Sequence, residues 1–81
     1  MKTVTVLGST GSVGCTTLEL LKREPERFKV VALTGGANWR LLAEQARLFM
    51  PEFVAIADTH YFSPLSEELS GLPIEVGGGA D

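Results

Sequence analysis

Val4-Thr5-Val6-Leu7-Gly8-Ser9-Thr10-Gly11-Ser12-Val13-Gly14 is the stretch on which the reading of this chain turns. A short β-branched run enters a glycine-rich turn and leaves it as the start of a helix, the strand-turn-helix setting that a dinucleotide-cradling loop needs. Each glycine has a mechanical use there: Gly8 for the tight turn, Gly11 for close approach of backbone to a pyrophosphate, Gly14 for close packing of helix on strand. The amides of residues 11–14 are expected to face the anion unpaired, with the helix dipole behind them, and Thr10 and Ser12 add hydroxyl donors. The glycines are spaced G-x-x-G-x-x-G rather than G-x-G-x-x-G, so the loop taken alone also fits a turn that binds nothing.

Outward from the loop, Val13, Leu18 and Leu21 fall on one helical face, and Glu19 and Arg23 are spaced for an i,i+4 pair. These predict a helix over residues 12–23, stopped by Pro25. Phe28-Lys29-Val30-Val31-Ala32-Leu33 reads as a parallel strand covered on both faces. Trp39, Leu42, Ala43, Ala46 and Phe49 recur at helical intervals, with Asn38 as N-cap and Pro51 as stop. Residues 53–57 read as a third strand. Ser63 and Pro64 read as the N-cap and first residue of a short helix ended by Gly71 and Pro73, and residues 74–76 as a fourth strand followed by a turn over 77–81. This alternation predicts an α/β fold, a Rossmann-like doubly wound parallel sheet ordered 3-2-1-4, with right-handed crossovers and helices on both faces.

With 81 residues the chain has room for one small unit, and a dinucleotide fold needs two βαβαβ halves, so an N-terminal portion of a longer domain is expected. A net charge of −3, with no cluster of Lys or Arg, argues against nucleic acid or anionic membrane as partner. No apolar run reaches the roughly 20 residues of a membrane span or resembles a signal-peptide core. A lone cysteine, Cys15, forbids an internal disulfide and fits the reducing cytoplasm. Its place in the first helical turn admits either a packing role or a reactive thiol. His60, with Asp58 two residues before it, makes a poor case for a metal ligand or a catalytic base.

Thr34-Gly35-Gly36-Ala37-Asn38 falls where a doubly wound sheet meets an adenosine ribose. It holds no carboxylate, which an NAD site would use on both ribose hydroxyls, and Arg40 follows closely. That combination favours NADP, although Arg40 also fits a solvated helix residue paired with Glu44.

Taken together, Leu7 to Gly14, Thr17-Leu18, the run 28–33, Gly36 with Asn38, and Gln45 before Phe49 and Pro51 resemble the N-terminal NADPH-binding part of the 1-deoxy-D-xylulose 5-phosphate reductoisomerase family. The resemblance implies an enzyme of non-mevalonate isoprenoid biosynthesis that rearranges a sugar phosphate, 1-deoxy-D-xylulose 5-phosphate, and reduces it with NADPH to 2-C-methyl-D-erythritol 4-phosphate. It also implies a divalent cation, Mg²⁺ or Mn²⁺, held outside this chain, and a homodimer. Carried over residue by residue, it puts Thr10, Gly11, Ser12 and Val13 on the cofactor phosphates and Gly36, Ala37 and Asn38 near the adenosine ribose. The family pattern has a basic residue where this chain has Ala37, and Arg40 is the available substitute. Two rivals are a semialdehyde dehydrogenase or extended short-chain reductase, and a nucleotide-sensing module without catalysis. Acidic residues 19, 24, 26, 44, 67 and 68 are spaced for solvent or arginine rather than for one cation, so the chain alone is expected to be catalytically inert.

Overall fold

The structure, a computed structural model, describes residues 2–78. Along the chain run β1 (Lys2–Val6), α1 (Ser12–Lys22), β2 (Phe28–Gly35), α2 (Trp39–Phe49), β3 (Phe53–Ile56), a 3₁₀ turn (Thr59–Tyr61), α3 (Phe62–Glu68) and β4 (Glu75–Gly78). Each strand pairs with the next in parallel, giving the all-parallel α/β sheet that the alternation predicts. Gly77 and Gly78 extend β4 rather than turning; the turn expected over 79–81 lies outside the described residues. No helix among the described residues is long and apolar enough to cross a membrane.

The strand order is β1-β2-β3-β4, which corrects the expected 3-2-1-4. The first three strands are neighbours as expected, but β4 lies beside β3 and not beside β1. Its connection carries α3, which packs on α2; Leu65 of this helix and Leu69 at its C-cap enter the core, so the chain keeps advancing in one direction. An alternating pattern specifies parallel strands but not the side on which each is added. Right-handed crossovers between strands added in one direction put every helix on the same face. Accordingly Val6, Val30, Leu33, Val54 and Ile56 share one buried cluster with Leu18, Leu42, Ala43, Ala46, Leu65 and Leu69. On the other face Thr5 is exposed, and Ala32, Thr34, Phe53 and Ala55 are half-buried. The expected helices on both faces are therefore one helical layer among the described residues.

A register shift between Val4 and Thr5 sets Val4 opposite Val30 and Val6 opposite Leu33. It explains why Val30 and Leu33, out of step for a strict two-residue alternation, both reach the helical layer. In α1 the buried residues are Gly14 and Leu18, whereas Val13 is 80% exposed, so Val13 does not belong to the core face predicted for it. Helix α2 has the expected bounds, and the Asn38 side chain accepts the Leu41 N–H at 3.3 Å. Helix α3 begins earlier than Ser63, with Tyr61 at its N-cap. The Asp58 carboxylate accepts the His60 N–H at 3.0 Å and starts a 3₁₀ turn that runs directly into α3. Pro64 is tolerated because it still lies in the first turn, where amides lack helical acceptors.

Candidate functional site

The glycine loop leaves the carboxyl end of β1 through Gly8, whose φ of +65° is a left-handed conformation that glycine adopts without strain. Two bonds fasten it to the end of β2: Gly8 N–H donates to Thr34 Oγ1 (3.0 Å) and Ser9 N–H to the Thr34 carbonyl (2.7 Å). Gly11 N–H donates to the Gly8 carbonyl at 3.0 Å, so this amide is engaged, not open as the sequence suggests. Helix α1 then starts at Ser12 with Gly11 as N-cap and no side-chain cap. The first intrahelical bond runs from Cys15 N–H to the Gly11 carbonyl, which leaves the amides of Ser12, Val13 and Gly14 without an intrahelical acceptor, as at any helix N-terminus.

The glycines differ in what the protein itself demands of them. A β-carbon on Gly14 would stand 2.3 Å from the Gly8 carbonyl oxygen, so helix and loop touch only because Gly14 has no side chain. One on Gly11 would meet nothing nearer than that same oxygen, at 3.4 Å, and its φ of −77° and ψ of 169° are open to any residue. Packing does not require glycine at 11, whereas close approach of a bound group does. A groove of about 430 Å³ lies here, lined by Leu7, Gly8, Gly11, Val13, Gly14 and Thr17 among others. Leu7 and Val13, 75% and 80% exposed, are the apolar side chains at its rim.

The second loop lies alongside. Thr10 is half-buried, and a β-carbon on Gly35 would meet its Oγ1 and Cγ2 at 3.4 Å, so the Thr10 side chain lies against the end of β2. Gly36 has open space where a side chain would be, and Ala37 is exposed, its carbonyl accepting the Trp39 N–H at 2.8 Å. Asn38 caps α2 through Oδ1, which leaves its amide nitrogen for a ligand. Arg40 is exposed and stands over the Trp39 ring, 5.4 Å from its centroid, and the ion pairs among the described residues include neither Arg40–Glu44 nor Glu19–Arg23. The structure thus brings both candidate loops to the carboxyl ends of β1 and β2 and keeps Arg40 one turn behind them. Among the described residues no three His, Cys, Asp or Glu side chains group to hold a metal.

Ser9, Thr34 and Gln45 have structural roles at the site that the motif does not announce. Gln45 carries the clearest signal: a polar residue three after Leu42 and four before Phe49 stands on the apolar stripe of α2.

A parallel α/β sheet with its glycine loop between the first strand and first helix defines a Rossmann-like unit of the dinucleotide-binding type. A family model for 1-deoxy-D-xylulose 5-phosphate reductoisomerase matches residues 4–81, and the chain belongs to that family. Among similar proteins, the 1-deoxy-D-xylulose 5-phosphate reductoisomerase of Trichlorobacter lovleyi is 44% identical over 81 residues, 100% of this chain and 21% of that protein. That of Bradyrhizobium diazoefficiens is 48% identical over 79 residues, 98% and 19% respectively. The Zymomonas mobilis enzyme, solved in complex with NADPH, superposes with a TM-score of 0.93 at 41% identity, covering 96% of this chain and 21% of that one. A DOX-P reductoisomerase solved with NADPH, fosmidomycin and magnesium superposes at 0.90 with 28% identity, covering 98% and 20%. The chain spans about a fifth of the length of these relatives.

Proposed function

We propose that this chain is the NADPH-binding portion of a 1-deoxy-D-xylulose 5-phosphate reductoisomerase. The observation that carries this function is the open first turn of α1 beside Gly11, a glycine that packing does not require. The amides of Ser12, Val13 and Gly14 donate to the cofactor pyrophosphate, and Gly8, Thr10 and Gly14 hold the loop that presents them. The exposed backbone at Gly36 and Ala37, with the Asn38 amide, receives the adenosine ribose. Arg40, two residues past Asn38, is the residue assigned to the 2′-phosphate, since Ala37 supplies no charge there. When bound, NADPH supplies the hydride; the residues of this chain bind and orient it and perform no bond-making step themselves.

On the same account the whole enzyme rearranges and reduces 1-deoxy-D-xylulose 5-phosphate to 2-C-methyl-D-erythritol 4-phosphate. The sugar phosphate and a divalent cation, Mg²⁺ or Mn²⁺, are held by residues outside this chain, which alone is inert. A homodimer belongs to the same proposal as something the family resemblance implies, and so does a cytoplasmic location, with which a lone cysteine is compatible. Titration of the intact protein with NADPH and NADH tests the cofactor assignment: NADPH is expected to bind more tightly, and equal or absent binding would contradict it. NADPH oxidation by the isolated chain in the presence of substrate and Mg²⁺ would contradict the division of labour.

A further inference from the structure

We propose that Gln45 is a positioning residue for the cofactor: its side-chain amide fixes the path of Ser9 and thereby the spacing between the glycine loop and the loop at residues 36–38. This rests on the NADPH assignment above. Ser9 is fully buried although Gly8 before it and Gly11 two residues after it are exposed. A buried serine in a turn is costly unless each of its polar groups is paired. Here all are: its N–H donates to the Thr34 carbonyl at 2.7 Å, its hydroxyl to Gln45 Oε1 at 2.7 Å, and its carbonyl accepts from Gln45 Nε2 at 2.8 Å. The same nitrogen reaches Cys15 Sγ at 3.7 Å, in the first turn of α1.

Gln45 is 8% exposed, at a position where a methionine would fill the same space with no polar group to satisfy. What glutamine adds is a two-point grip on one loop residue. Helix α2 begins just after Asn38, so Asn38 and Gln45 lie about 10 Å apart along one rigid helix. Two turns of α2 thus space the pyrophosphate end of the site from its ribose end, and Gln45 is where that spacer grips the loop.

The test uses Gln45→Met, Ser9→Ala and the double variant in the intact protein, read by amide hydrogen exchange over residues 8–15 and by NADPH titration. Gln45→Met is expected to speed exchange in this loop about tenfold with β2 unchanged, and to weaken NADPH about tenfold. Ser9→Ala, which leaves the carbonyl grip, is expected to change both less than threefold. The double variant removes the orphaned hydroxyl and is expected to regain thermal stability without regaining affinity. Affinity that returns together with stability, or loop exchange unaltered by Gln45→Met, would overturn the positioning role. Wild-type protein that fails to bind NADPH would instead overturn the cofactor assignment, while the exchange data would still show whether Gln45 sets the loop.

Discussion

Gly14 lies against the Gly8 carbonyl so closely that a β-carbon on it would stand 2.3 Å from that oxygen and 2.6 Å from Ser9 Cα. Both obstacles are backbone, fastened to β2 through Thr34, and neither can move aside without breaking the loop. Gly14→Ala is therefore expected to destabilise the protein by at least about 2 kcal/mol. Gly11→Ala, whose β-carbon meets only the Gly8 oxygen at 3.4 Å, is expected to cost about 1 kcal/mol or less, the loss of a glycine N-cap. Urea unfolding of the two variants side by side checks the contrast.

At the end of α2, Met50 holds the left-handed cap conformation, φ 47° and ψ 57°, with its N–H donating to the Ala46 carbonyl at 2.8 Å. Its side chain is 42% exposed, so little packing opposes the strain. Met50→Gly is expected to raise stability by about 1 kcal/mol, since glycine takes this conformation without a steric penalty. An unfolding midpoint equal to or below wild type would show that Met50 contributes more contact than its exposure indicates.

Much of this arrangement is legible in the residues. Asn38 and Pro51 bracket α2 as written, because capping and proline geometry are local chemistry. The glycine loop is likewise legible in kind, since strand, turn and helix follow one another within eleven residues. The position of β4 is not, because sheet order depends on where α3 packs, and that contact joins residues far apart in sequence. Nor is the exposure of Val13: helical periodicity marks a stripe, but Gly14 has to face the loop, and this turns Val13 outward. Gln45 is legible in part: its place on the apolar stripe of α2 marks a buried position, but its partner Ser9 lies 36 positions away and leaves no local sign.

Arg40 offers a way to separate cofactor recognition from fold. It is exposed, stacked on Trp39 and outside the ion pairs of the described residues, so Arg40→Met should leave stability within about 0.5 kcal/mol of wild type. NADPH affinity is expected to fall about three- to tenfold while NADH affinity holds, through loss of a charge-assisted contact to the 2′-phosphate. Equal losses for both cofactors, or none, would return Arg40 to the role of a solvated helix residue.

The central claim is that the backbone at Gly11 is kept bare for a pyrophosphate, and calorimetric titration of NADPH into wild-type and Gly11→Val protein tests it most directly. Extended backbone at position 11 admits valine, which is a poor N-cap, so the fold should survive with a midpoint only modestly lowered. Affinity is expected to fall at least about tenfold, because the added methyl groups occupy the approach to the amides of Ser12, Val13 and Gly14. Unchanged NADPH affinity in a folded Gly11→Val protein would contradict the claim.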